Sequence, residues 1–187
     1  MEKIKAGIKI KIAVVGCGRI AEKHFEAIKQ HENNLQLVAL CDTNQEALNK
    51  NTAKLNVDGY TTMLGMLENV DIDIVVICTP SGLHPDQTEL AAEHGIHVMT
   101  EKPMATRWGG GLRMVRACDN AGVRLFVVKQ NRKNTTLQLL KQAINEKRFG
   151  KIYMVNFNVF WTRPQEYYDS AKWRGTWEFD GGAFMNQ

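Results

Sequence analysis

Between residues 8 and 130 the chain alternates apolar runs of strand length with amphipathic runs of helix length. The strand-like runs lie at 8–16, 35–41 (LQLVALC), 73–79 (DIVVICT), 97–101 (HVMTE) and 124–130 (RLFVVKQ). Helix-like segments fall near 20–31, 44–56, 83–94 and 106–121, and 60–69 reads as a shorter turn of helix. Runs continuous in Val, Ile and Leu suit strands covered on both faces, as in a parallel sheet. The βαβα rhythm therefore predicts an α/β fold with a doubly wound parallel sheet. Local punctuation agrees: Thr43 or Asn44 can cap one helix and Thr106 another, while Gly95 and Gly122 each close a helical run.

After Gln130 the pattern changes. Residues 134–148 predict one amphipathic helix with Leu137, Leu140 and Ile144 on a single face. From 151 to 163 the residues Tyr153, Val155, Phe157, Val159 and Trp161 recur with period two, which predicts a strand with one buried face, taken as antiparallel. The domain boundary is placed near 131, giving a doubly wound domain over 1–130 and a second unit beginning over 131–187.

The chemistry enters with VVGCGRIAEKH, Val14 to His24, where a strand-like run breaks into glycines and then a helix. A G-x-G-x-x-A pattern alone is weak, but this one follows a strand and opens a helix, as a dinucleotide site requires. Gly16 makes the tight turn, Gly18 lets the backbone approach a pyrophosphate, and small Ala21 lets helix and strand pack closely. The helix start at Arg19 and Ile20 offers unpaired N–H groups and a positive dipole end. Asp42 ends the second strand where an acid accepts the adenosine ribose diol. No arginine follows in Thr43-Asn44 to receive a 2′-phosphate, so NAD is favoured over NADP. Taken alone, Asp42 also reads as a helix-capping aspartate. Thr79, Pro80 and His84 lie at the carboxyl edge of the sheet, where ligands bind; His84 reads equally as a solvent-facing residue of the first helical turn.

Composition narrows the partners. Twenty-four basic against 20 acidic residues give +4, too mild and scattered for a nucleic-acid surface. A late excess in Lys147, Arg148, Lys151, Arg163, Lys172 and Arg174 reads as a solvated face or as attraction for an anionic small molecule. Cys17, Cys41, Cys78 and Cys118 are widely spaced, suggesting neither a metal site nor a disulfide framework. No run approaches membrane-spanning length, and the start lacks the apolar block of a signal peptide, so a cytoplasmic protein is expected.

Glu101-Lys102-Pro103, together with GCGRIA, CDTN and CTPSGLH in this order, resembles the glucose–fructose oxidoreductase and inositol dehydrogenase (Gfo/Idh/MocA) family. The segments QNRKN, FWTRPQEYY and WRGTWEFDGGAFMNQ are closer still to its UDP-N-acetylglucosaminuronate 3-dehydrogenases, which supply surface polysaccharide sugars. The resemblance implies a Rossmann domain followed by an α+β open-sheet domain that often forms an oligomer interface. It also implies hydride transfer between a sugar carbinol and NAD. By the same resemblance Lys102 is catalytic and touches substrate, and Arg163, Tyr168 and Asn186 face substrate. Gly16, Gly18, Arg19, Ile20, Asp42, Thr79, Pro80, His84, Glu101, Gln130 and Arg174 are expected to face the cofactor.

The residues are compatible with that chemistry. An amine at a strand end can take the hydroxyl proton, with burial lowering its pKa, and a cis Lys102–Pro103 bond is one way to aim it. A strand-end ion pair is the plainer reading of Lys102, and surface or core packing that of Arg163, Tyr168 and Arg174. Trp161, Trp173 and Trp177 are read as core or interface aromatics. The family's D-x-x-x-H element has Asn186 at its aspartate position, and the histidine position lies beyond Gln187. A C-terminally truncated chain is therefore expected, with its own turnover open. The alternatives are another sugar or inositol dehydrogenase of the family, or a catalytically silent NAD-binding fragment. A small-molecule substrate is expected, with no nucleic acid, no membrane, and a homo-oligomer at full length.

Overall fold

A computed structural model describes residues 8–186; residues 1–7 and Gln187 lie outside the described residues. Six strands form one parallel sheet: β1 (Ile10–Val15), β2 (Leu35–Cys41), β3 (Asp58–Tyr60), β4 (Ile74–Ile77), β5 (His97–Thr100) and β6 (Leu125–Val127). Their spatial order is β3-β2-β1-β4-β5-β6, so the winding reverses between β1 and β4. Ligands of such sheets bind beyond the carboxyl ends of the strands at this reversal.

Five helices cover the two faces: α1 (Ala21–Gln30), α2 (Gln45–Leu55), α3 (Met63–Asn69), α4 (His84–Glu93) and α5 (Trp108–Ala121). Period-two alternation along β1 divides the core. Ile12 and Val14 pack with Phe25 and Ile28 of α1 and Leu48 of α2. Ala13 and Val15 face the other way, towards Met66 of α3, Ala91 and Ala92 of α4 and Cys118 of α5. Each fully buried Val, Leu or Ile contributes roughly 1.5–3 kcal/mol, which makes this two-sided core the main source of stability. Asn44 caps α2 by accepting the Ala47 N–H at 3.0 Å, and Gly122 closes α5 at φ 67°.

Two expectations change. Thr106 does not cap α5; Arg107 occupies that position without a side-chain bond, and the Thr106 hydroxyl donates to the Glu178 carbonyl at 3.1 Å. The segment 151–163 forms no strand among the described residues. No described backbone pairs with it, and Tyr153, Val155 and Phe157 are 83%, 77% and 83% exposed. Helix α6 (Thr135–Asn145) is amphipathic as expected, yet none of its residues is buried. Short helices α7 (Gln165–Asp169) and α8 (Ala183–Asn186) complete the chain.

The stretch before α8 docks back on the sheet. Gly82, in the turn that precedes α4, donates its N–H to the Phe179 carbonyl at 3.2 Å. A Cβ at Gly82 would stand 2.3 Å from the Glu178 carbonyl oxygen, so only glycine admits this approach. Docking here carries α8 to the carboxyl edge of β5.

Candidate active site

The glycine turn is built against the strand beside it. Gly16 adopts φ +93°, and a Cβ there would lie 2.9 Å from backbone atoms of Cys78 and Thr79, just beyond β4. Gly18 faces open space instead. No side chain caps α1, whose Ile20 precedes it, and Arg19 and Ile20 are exposed. An uncapped helix start leaves backbone donors for an anion. Asp42 is fixed at the edge of this turn: one carboxylate oxygen accepts the Cys17 N–H at 2.6 Å and the other the Asn44 N–H at 2.8 Å. It therefore shapes the turn as well as ending β2. The thiols beneath are inert. Burial first, with Asp42 nearby, pushes Cys17 up to about 12 and Cys41 up to about 11.

Beyond β4 the Thr79 hydroxyl donates to the Gln87 side chain at 2.5 Å, and Pro80 opens the turn into α4. His84 is not solvent-facing; it is fully buried. Its Nδ1 lies 3.0 Å from the Pro103 carbonyl and its Nε2 3.0 Å from the Thr79 carbonyl. Burial lowers its pKa against the pull of those carbonyls; a neutral ring donates to one of the two, and only a protonated ring donates to both. The ring holds the loops after β4 and β5 together from below.

Glu101-Lys102-Pro103 follows β5, and the Lys102–Pro103 bond is cis. Glu101 is buried, with Oε1 2.8 Å from His24 Nε2 of α1 and Oε2 accepting the Lys102 N–H at 3.2 Å. Burial pushes the Glu101 carboxyl up, but His24 and then Lys102 outweigh it and hold the carboxyl below its ordinary range. The half-buried Lys102 ammonium donates to the backbone oxygen of Asn186 and, at 3.2 Å, to its side-chain oxygen. Burial lowers the Lys102 pKa most; Tyr167 and Glu101 oppose this, and Arg163 and Lys129 reinforce it.

Asp180, unnoticed in the sequence, sets the Asn186 amide. It is buried, accepts the Gly175 N–H at 3.0 Å, and takes the Asn186 side-chain N–H on its other oxygen. That leaves the Asn186 oxygen turned to Lys102. The only local signal was an acid set between Phe179 and two glycines at φ 77° and 81°.

A second cluster is aromatic and cationic. The Arg163 guanidinium lies 3.7 Å from the Trp161 ring and 4.8 Å from Tyr167, while Arg174 lies 4.3 Å from Tyr167 and 4.6 Å from Trp173. Tyr167, which the sequence reading passed over, is the shared platform. Tyr168 meets it edge-on at 5.2 Å. The Arg174 Nε is buried without a hydrogen-bond partner. Trp161 and Trp177 are 64% and 80% exposed, so neither is a core aromatic. Gln130 is exposed at the start of the turn after β6.

Residues 10–129 match the family described as GFO_IDH_MocA, an oxidoreductase family with an NAD-binding Rossmann fold, and residues 137–187 match a GFO/IDH/MocA C-terminal domain. Among curated relatives, the D-apiose dehydrogenase of Paraburkholderia graminis is 30% identical over 76% of the chain. The D-glucoside 3-dehydrogenase of Escherichia coli is 28% identical over 82%. The chain spans 38% and 44% of the length of these two. Among solved structures, the WlbA dehydrogenase of Chromobacterium violaceum, in complex with NADH and UDP-GlcNAcA, is 61% identical with a TM-score of 0.92, over 95% of this chain and 52% of its own. The WlbA dehydrogenase of Bordetella pertussis, in complex with the same two ligands, is 59% identical with a TM-score of 0.93, over 96% and 55%. Among the described residues, no helix is long and apolar enough to cross a membrane.

Proposed function

Because the chain belongs to the Gfo/Idh/MocA family of NAD-binding oxidoreductases, we propose that it serves the NAD-dependent oxidation of UDP-N-acetylglucosaminuronate at C3. The observation that carries this reading is Lys102, an amine lowered by burial and fixed at the carboxyl edge of β5 beside the winding reversal. The likeness to the two WlbA dehydrogenases, 61% and 59% identical over 95% and 96% of this chain, supports the sugar nucleotide as substrate.

The residues fit NAD. The open face of Gly18 and the uncapped start of α1, with Arg19 and Ile20, suit the pyrophosphate. Asp42 suits the ribose diol and repels a 2′-phosphate. Thr79, Pro80 and Gln130 line the approach to the sheet edge, and the unpartnered Arg174 Nε supplies a further donor. When bound, NAD accepts the hydride from the carbinol carbon. Lys102 in its neutral form takes the hydroxyl proton, so the C–H and O–H bonds break together and a ketone remains. Asn186 accepts from the amine, and Glu101 accepts the Lys102 backbone N–H and so holds the residue that bears it. Arg163, whose planar guanidinium can bind an anion bidentately in a way a lysine cannot, suits the anionic groups of a UDP-uronate, and Tyr168 suits a sugar oxygen.

This reading assigns the chain a 1–130 NAD-binding domain and, from 131, part of a substrate and oligomerisation domain. It also assigns a cytoplasmic setting, a role in surface polysaccharide synthesis, a homo-oligomer for the whole enzyme, and no nucleic-acid partner. The test is absorbance at 340 nm with NAD and, separately, UDP-N-acetylglucosaminuronate, D-glucose and myo-inositol. A rise with the sugar nucleotide alone is expected. A rise only with a free sugar or polyol reassigns the substrate within the family. No rise with any, while NADH still binds, leaves a silent dinucleotide-binding unit.

A further inference from the structure

The histidine of the opening motif has no part in the chemistry above, yet its contact is unusually placed. His24 sits one turn into α1, the helix that the glycine turn feeds. Its Nε2 is 2.8 Å from Glu101 Oε1, with the two side chains only 14% and 11% exposed. Glu101 follows β5, which is separated from β1 by β4. Two strand spacings are about 10 Å, so the imidazole reaches over the end of β4.

Helix α1 does not need this contact to dock, because Ala21, Phe25 and Ile28 already bury it against the sheet. Glu101 uses its other oxygen on the Lys102 N–H at 3.2 Å. The path therefore runs from the glycine turn through α1, His24 and one carboxylate to the lysine backbone. A carboxylate accepts only, so Nε2 donates.

We propose that His24 is a positioning residue that couples occupancy of the dinucleotide site to the placement of Lys102. The coupling deepens the reading of NAD and Lys102 given above and rests on it. Filling the glycine turn steadies α1, His24 transmits this to Glu101, and Glu101 fixes the Lys102 amide. Coupling of this kind is reciprocal, so loosening the lysine loop also weakens dinucleotide binding.

The test is residue-resolved amide exchange at Lys102 with and without NADH, alongside an NADH fluorescence titration and a thermal melt of each variant. In the wild-type chain NADH slows exchange at Lys102. In His24→Leu, basal exchange there rises about tenfold, as expected for losing a charge-assisted hydrogen bond, and NADH no longer slows it although it still binds. His24→Gln, whose terminal nitrogen reaches the Nε2 position, restores the response; His24→Asn, one carbon shorter, does not. That pair decides the matter should the leucine variant fail to fold. Unchanged NADH protection of Lys102 in His24→Leu or His24→Asn defeats the coupling alone. Failure of NADH to bind the wild-type chain defeats the dinucleotide reading and the coupling with it.

Discussion

The Nδ1 of His84 lies 3.0 Å from the carbonyl oxygen of Pro103, and this contact ties the start of α4 to the loop that bears Lys102. Because the opposite nitrogen faces the Thr79 carbonyl at 3.0 Å, one buried ring spans both loops at the sheet edge.

The pH dependence follows from burial of that ring. Its pKa is lowered below 6.5 in the fold, so the unfolded chain binds more protons between the folded value and 6.5. Stability therefore rises with pH through that window. It is complete above 6.5 and falls as the medium is acidified towards the folded value. Thermal melts from pH 7.5 to 5 should show this loss in the wild type and less of it in His84→Gln. An equal loss in both would assign the acid sensitivity to other groups.

The two glycines of the turn should separate fold from binding. Gly16→Ala puts a methyl 2.9 Å from backbone at a φ of +93° and should cost roughly 1–3 kcal/mol, read as a lowered melting temperature. Gly18→Ala meets nothing within 4 Å, so its melting temperature should match the wild type while NADH binding weakens. A Gly18→Ala chain that binds NADH normally would place the pyrophosphate elsewhere.

Asp42 serves two ends at once. Asp42→Ala removes the acceptor for the Cys17 and Asn44 amides and should cost about 1–3 kcal/mol of stability. Asp42→Asn keeps an acceptor and loses the charge. It should keep the fold and narrow the preference for NADH over NADPH, which competitive fluorescence titration measures. An unchanged preference would remove Asp42 from the ribose site.

How much of this was legible in the sequence depends on how local each signal is. The glycine turn, Asp42 and the strand runs are written in adjacent residues, and five strands and their helices fall where the pattern puts them. Strand β3 was missed because Asp58-Gly59-Tyr60 has no apolar run. It exists through pairing with Ala39–Cys41 and because Gly59 lets the chain press against Leu48 and Thr52. The reverse error at 151–163 has the same root: period two suits a strand, but a strand also needs a partner backbone. The contacts His24–Glu101 and Lys102–Asn186 join residues 77 and 84 apart. No spacing rule announces such pairs; they follow from strand order and from Gly82 admitting the Glu178 segment.

The most direct measurement is the titration of the Lys102 amine by NMR in the free chain, with NADH and with NAD. Burial should place its pKa below the ordinary 10.5, and Glu101→Gln, which removes a carboxylate that raises it, should lower it further. The cationic nicotinamide of NAD should lower it more than NADH does, as a like charge beside an ammonium must. A free value at or above 10.5, or one that responds identically to the two cofactors, would contradict a lysine poised beside the reacting carbon.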